Sequence, residues 1–166
     1  MKLQGDKIYL QENLSEENYP LLLKWLTDLD IVNFLYFAKR MMEFKTVEDL
    51  KDFLFEEKDE LIGYTSLCSF QGKEKCEFSI FILNKNYWGK GIGMEASKLL
   101  LDYAFNELKI KTITLETSEF HQNAISLYEK IGFKKVKLIP NDREVFFDGK
   151  WISSGTVEME KDVSIG

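Results

Sequence analysis

The sequence predicts an α/β fold in which a central sheet is covered by helices on both faces. Three observations predict it. Cys76 to Leu83 reads as a strand apolar on both sides: Phe78, Ile80 and Ile82 alternate with Glu77, Ser79, Phe81 and Leu83. The run from Ile92 to Leu108 carries Ala96, Leu99, Leu100, Tyr103, Ala104 and Leu108 on one face, with Lys98, Asp102, Asn106 and Glu107 mostly on the other, as a helix packed on a sheet would. Between the two stands Asn86-Tyr87-Trp88-Gly89-Lys90-Gly91-Ile92-Gly93-Met94-Glu95-Ala96, a glycine-rich connection from strand to helix.

Taken in order, Lys7 to Gln11 alternates as a first strand. Ser15-Glu16-Glu17 reads as an N-cap with acidic first-turn residues, and a helix follows to about Leu29, its Leu22, Leu23, Leu26 and Leu29 at helical spacing. Asp30 to Phe44 reads as a second short helix with a loop, its aromatics packing in the core. Thr46 opens a short capped helical stretch, Asp52 to Glu56 reads as a strand, and Lys58-Asp59 as a turn. Glu60 to Phe70 and Cys76 to Leu83 are strands joined by Gln71-Gly72-Lys73-Glu74. After the Ile92 helix come a strand from Lys111 to Thr117 and a short helix from Asn123 to Ile131, closed by Gly132. Phe133 to Ile139 and Thr156 to Met159 are the last long strands, and between them Glu144 to Phe147 and Lys150 to Ile152 flank the tight turn Asp148-Gly149. One domain is expected over residues 1–162, with 163–166 as a loose tail.

The glycine-rich stretch reads as an anion site, or else as an ordinary strand-to-helix connection. Glycines at alternate positions let a ligand approach the main chain where the first N–H groups of a helix lack partners, and the helix dipole and Lys90 add positive charge. A nucleotide-hydrolysing P-loop is excluded because Gly91, not Ser or Thr, follows Lys90. The dinucleotide fingerprint also fails, because its third glycine would fall on Met94 or Ala96.

Downstream, Asn123-Ala124-Ile125-Ser126-Leu127-Tyr128-Glu129-Lys130-Ile131-Gly132-Phe133 supplies a second motif. Together with Trp88-Gly89-Lys90-Gly91-Ile92-Gly93, it resembles the GNAT superfamily of acetyl-CoA-dependent N-acetyltransferases, with Asn86 standing where that family usually has Gln or Arg. Cys76 to Ile80, Tyr87 to Gly91 and Glu144 to Trp151 look like the segments of its ribosomal-protein-alanine and spermidine (diamine) N-acetyltransferase branch. The resemblance implies a mixed, mostly antiparallel sheet of six to seven strands, the GNAT acyl-CoA N-acyltransferase fold, with acetyl-CoA as co-substrate and no metal. It implies that Phe81, Ile82 and Leu83 offer backbone groups to the pantetheine arm. Trp88, Gly89, Lys90, Gly91, Ile92, Gly93 and Met94 would offer donors to the pyrophosphate, and Asn123 would lie beside the arm. Tyr128 resembles the general acid that protonates the departing thiolate; otherwise it is an aromatic packing the last helix. Glu77 resembles a glutamate that serves as base, directly or through water; otherwise it is a solvated hairpin end. Glu116 and Glu119 are further base candidates, as is His121, otherwise a structural or solvent-facing residue at a helix entrance. By the resemblance, the aromatics of Asp30 to Phe44 would line the acceptor groove instead of the core.

Composition sets the class of partner. The 166 residues are 45% hydrophobic and carry a net charge of −6, which argues against a nucleic-acid surface and allows a cationic acceptor. No apolar run approaches the ~20 residues of a membrane span, and no secretory leader is read at Met1 to Asp6, so the cytoplasm is expected. Cys68 and Cys76 lack metal or redox spacing and read as buried thiols. The expected acceptor is a small primary amine, first a polyamine; the alternatives are a protein N-terminus, or a non-catalytic acyl-CoA sensor of the same fold. A homodimer is the assembly common in the family.

Overall fold

The computed structural model describes residues 1–12, 50–57, 60–82 and 84–164. The helix expected from Ser15, the Asp30 to Phe44 segment, the stretch from Thr46, the Lys58-Asp59 turn and the position of Leu83 lie outside them. Eight strands form one sheet: β1 (Lys2–Gln4), β2 (Tyr9–Glu12), β3 (Leu50–Glu57), β4 (Glu60–Gln71), β5 (Lys75–Ile82), β6 (Thr112–Ser118), β7 (Lys134–Phe147) and β8 (Lys150–Asp162). Their order is β1-β2-β3-β4-β5-β6-β8-β7, antiparallel throughout except between β5 and β6. The mixed, mostly antiparallel sheet is therefore as expected, with β1 as an added edge strand.

The last two strands are longer than their sequence suggests. Phe133 to Ile139 and Glu144 to Phe147 were expected as separate strands but belong to one, β7, and Lys150 to Ile152 and Thr156 to Met159 both fall within β8. Register shifts between Lys135 and Lys137 and between Ile139 and Arg143 make this continuity possible. The second shift takes up Pro140, which has no N–H, and Asn141, whose φ is 52°. Asp148 and Gly149, at φ 52° and 77°, form the tight turn that the sequence predicts.

Two helices are described, α1 (Ile92–Asn106) and α2 (Gln122–Lys130), and both pack into the same core cluster on one face of the sheet. Ala96, Leu100 and Ala104 of α1 and Ile125 and Tyr128 of α2 meet Cys76, Phe78, Ile113, Leu115 and Met159 there. Helix α1 stops two residues before Leu108 because Lys109 turns into the left-handed region at φ 60°, and the Ile110 N–H then bonds back to the Ala104 carbonyl at 3.0 Å. Among the described residues no helix is long and apolar enough to cross a membrane.

The parallel pair β5–β6 positions the site. Its ladder holds only from Lys75↔Thr112 to Glu77↔Thr114, although β5 continues to Ile82 and β6 to Ser118. Beyond Glu77 the edge of β5 that faces β6 is unpaired, while its other edge stays bonded to β4 as far as Ile82 and leads into the glycine-rich loop.

Candidate active site

The loop after β5 keeps its backbone open. Gly89 and Gly91 have φ 73° and 77°, where a side chain is strained, and a Cβ at either would meet nothing within 4 Å. Gly91 is the N-cap of α1, so the N–H groups of the first helical turn face outward from a cradle that only glycine leaves bare. Gly93 has a different role. A Cβ there would lie 3.2 Å from the Ile82 side chain, so this glycine lets α1 close onto the end of β5. The cradle, the dipole of a four-turn helix and the exposed Lys90 fit a pyrophosphate.

Trp88 differs from expectation. Its backbone N–H bonds to the Lys85 carbonyl at 3.1 Å in a 3-10 turn over Lys85–Tyr87, so this N–H is not open to a ligand as expected. Its indole Nε1 donates to the Ile82 carbonyl at 2.9 Å, holding the loop against the free end of β5. Glu60, which sequence reasoning missed, braces the same turn: it accepts from the Tyr87 hydroxyl at 2.7 Å and from Asn84 Nδ2 at 3.3 Å. Asn84 Oδ1 in turn accepts the Asn86 N–H at 3.1 Å, and Lys90 Nζ lies 5.7 Å from the Tyr87 ring centre. Asn86, the departure from the family pattern, thus enters the loop through its main chain while its side chain is exposed.

Tyr128 and Glu77 flank the point where β5 and β6 part. Tyr128 is buried on α2 and meets Phe78, the first residue beyond the ladder, edge-on at 6.4 Å and Phe133 at 6.0 Å. Its hydroxyl makes no hydrogen bond among the described residues, and burial pushes its pKa up to about 12. Glu77 is half-buried in the last ladder pair, facing Cys68 and Thr114 in register. It is therefore not a hairpin end, which lies at Gln71 to Lys75. Because neighbouring residues of a strand face opposite ways, Glu77 points to the side of the sheet away from Phe78 and Tyr128.

The other base candidates are engaged elsewhere. Glu119 Oε1 accepts the Gly155 N–H at 2.9 Å and its own N–H bonds to the Gly155 carbonyl, tying the β6–α2 turn to β8. Glu116 pairs with Arg143 at 3.5 Å, and Arg143 also donates to Thr156 Oγ1 at 2.9 Å. His121 is the N-cap of α2; burial and the Arg143 guanidinium lower its pKa, leaving the imidazole neutral at neutral pH. Asn123 is exposed in the first turn of α2, and Phe81 is half-buried on the same side as Glu77. Cys68 and Cys76 are buried thiols, and burial, with Cys68 and Glu77 nearby, pushes Cys76 up to about 12.

Residues 12–134 match the family described as the acetyltransferase (GNAT) domain. The chain belongs to that family. A probable N-acetyltransferase, YjcK, of Bacillus subtilis (strain 168) is 35% identical over 94 residues, covering 56% of this chain and 51% of the relative. The spermidine N(1)-acetyltransferase of Escherichia coli (strain K12) is 37% identical over 59 residues, covering 36% and 31%. The matches thus span about half the length of these relatives or less. Among solved structures, a chimera of the Vibrio cholerae spermidine N-acetyltransferase SpeG and hSSAT superposes with a TM-score of 0.74 at 21% identity, covering 95% of this chain and 96% of the other. At that identity the likeness speaks for the fold.

Proposed function

We propose that the chain transfers the acetyl group of acetyl-CoA to a primary amine, most readily a polyamine or another small amine, by direct attack of the amine on the thioester. The observation that carries this reading is the β5–β6 ladder ending at Glu77↔Thr114, with a glycine cradle at the end of the freed strand. The freed edge of β5 offers the backbone of Phe81 and Ile82 to an extended arm, as a missing strand would be paired. Leu83, also assigned to the arm, follows them in sequence. Gly89, Lys90, Gly91, Ile92, Gly93 and Met94 hold the pyrophosphate, Trp88 sets the loop on Ile82, and Asn123 stands at the entrance to α2. Residues 1–162 act as one domain, in keeping with a sheet that runs from Lys2 to Asp162.

When bound, acetyl-CoA supplies an activated acyl group; the chain's residues arrange the protons. An alkyl ammonium of pKa ~10.4 must lose a proton before it attacks. Glu77 takes that proton, directly or through water, from the face on which the amine arrives. The backbone near Ile82 donates to the carbonyl oxygen as it gains charge. Tyr128, on the opposite face, gives its phenolic proton to the leaving sulfur. A phenol held near pKa 12 keeps that proton at neutral pH and is a weak acid, so close contact with the sulfur is essential. The 59-residue likeness to a spermidine acetyltransferase supports the polyamine, and the net charge of −6 suits a cation.

The test is release of free CoA thiol from acetyl-CoA with spermidine, spermine, putrescine, lysine, an aminoglycoside and a peptide beginning with Ala or Ser. Turnover with polyamines is expected. Turnover with the peptide alone would reassign the acceptor to protein N-termini, and tight acetyl-CoA binding without turnover on any amine would make the chain a sensor.

A further inference from the structure

The hairpin that opens the chain closes on the helix that follows the glycine loop. In α1 the hydrogen-bond ladder begins with the Glu95 N–H, which bonds to the Gly91 carbonyl at 3.2 Å, so the N–H groups of Ile92, Gly93 and Met94 come before it and belong to the cradle. The side chain of that same Glu95 is taken up from outside the helix. Its Oε1 accepts the Lys7 N–H at 2.8 Å and the Ile8 N–H at 3.4 Å, from 88 and 87 residues away in sequence. Both donors lie in the turn between β1 and β2, which the Gly5 N–H closes by bonding to the Ile8 carbonyl at 2.9 Å. Only glycine fits at position 5: a Cβ there would overlap Glu95 Oε1 and lie 2.9 Å from the Leu99 side chain. Within the helix, Ser97 Oγ bonds to the Gly93 carbonyl at 2.6 Å. The first turn of α1 is thus braced by two side chains, one of them tied to the β1–β2 turn.

A carboxylate in the first turn of a helix has two opposed effects on an anion bound at that terminus. Its charge repels the anion and competes with it for the helix dipole. Its hydrogen bonds, where they hold the turn in place, keep the donors aimed. Here those bonds come from the backbone of another element, and a hydrogen bond to a carboxylate is roughly twice as strong as one between neutral groups. Resting on the reading that the cradle holds the pyrophosphate of acetyl-CoA, we propose that Glu95 is a positioning residue for that ligand, through which the docked β1–β2 turn aims the N–H groups of Ile92, Gly93 and Met94. Docking and binding are then linked in both directions: the seated turn raises the affinity for acetyl-CoA, and acetyl-CoA holds the turn more tightly. The amides of Lys7 and Ile8 therefore respond to a ligand that other residues hold.

The experiment measures acetyl-CoA binding by calorimetry and amide exchange by nuclear magnetic resonance, both on the intact chain. In the wild type, exchange at Lys7 and Ile8 is expected to slow about fivefold or more when acetyl-CoA saturates the chain. Glu95→Ala removes the acceptor and is expected to weaken acetyl-CoA binding about tenfold. Gly5→Ala, which pushes the turn off Glu95, shifts affinity in the same direction. Glu95→Gln keeps an acceptor oxygen and drops the charge, so it is expected to bind no more weakly than the wild type. A brace with a purely structural role would lower Tm in Glu95→Ala and leave the affinity, and the ligand response of the two amides, unmoved. That result, or a Glu95→Gln as weak as Glu95→Ala, would overturn the proposal. A wild type that binds no acetyl-CoA would instead remove the reading of the cradle itself, and the proposal with it.

Discussion

At the scale of single residues, the proposed chemistry depends on Tyr128 and Glu77 lying at one point of the sheet but on opposite faces. The ladder that ends at Glu77, and Phe78 meeting Tyr128 edge-on, produce that arrangement. With Glu77 as the base, Glu77→Gln should lower kcat about 10²-fold while acetyl-CoA affinity, measured by calorimetry, is kept. The sequence offered both residues as candidates through the family resemblance, Tyr128 within the second motif and Glu77 on an alternating strand. Their surroundings were not legible there. Tyr87 reaches Glu60 across 27 residues and Gly155 reaches Glu119 across 36, and no local pattern announces contacts that the sheet alone brings together. For the same reason Glu119 could look like a base in the sequence and prove to be a brace in the fold.

At the scale of elements, the loop from Asn84 to Gly93 is held from outside and left bare within. Glu60 and the Trp88 indole fix its position, while Gly89 and Gly91 keep the cradle open. Because Gly91 has open space around a would-be Cβ, Gly91→Ala acts through backbone strain of ~1–2 kcal/mol and through a methyl group in the cradle. The expected result is a rise of about tenfold or more in KM for acetyl-CoA, with Tm lowered by only a few degrees. Helix ends were read less well than helix centres. Helix α1 ends early, at Asn106, ahead of Lys109, a residue with no sequence signature for the left-handed conformation it adopts, whereas Gly132 marks the end of α2 openly. The long β7 was missed because Pro140 and Asn141 read as a break, and a bulge on an edge strand absorbs them.

At the scale of the whole molecule, the sheet is continuous except where its one parallel pair parts, and that interruption is where the proposed site lies. The core beside it gives the fold a pH dependence. Cys76 and Tyr128 hold their protons to about 12 in the folded chain, against ordinary values of 9.0 and 10.0, so the unfolded chain binds fewer protons once the pH passes about 9. Stability from these groups is complete below pH 9 and falls as the pH rises toward 12. Thermal melts at pH 8, 9.5 and 11 should show this decline, with a later onset in Cys76→Ala. A Tm that stays level from pH 8 to 11 would contradict it.

The central claim is that this opening carries out acetyl transfer with Tyr128 as the proton donor. The most direct test compares the wild type with Tyr128→Phe, measuring CoA release with spermidine alongside calorimetric acetyl-CoA binding. The account predicts a fall of about 10²-fold in turnover with affinity nearly unchanged, because the phenylalanine keeps the packing on Phe78 and Phe133 and removes only the hydroxyl. Equal turnover in the two proteins would contradict it.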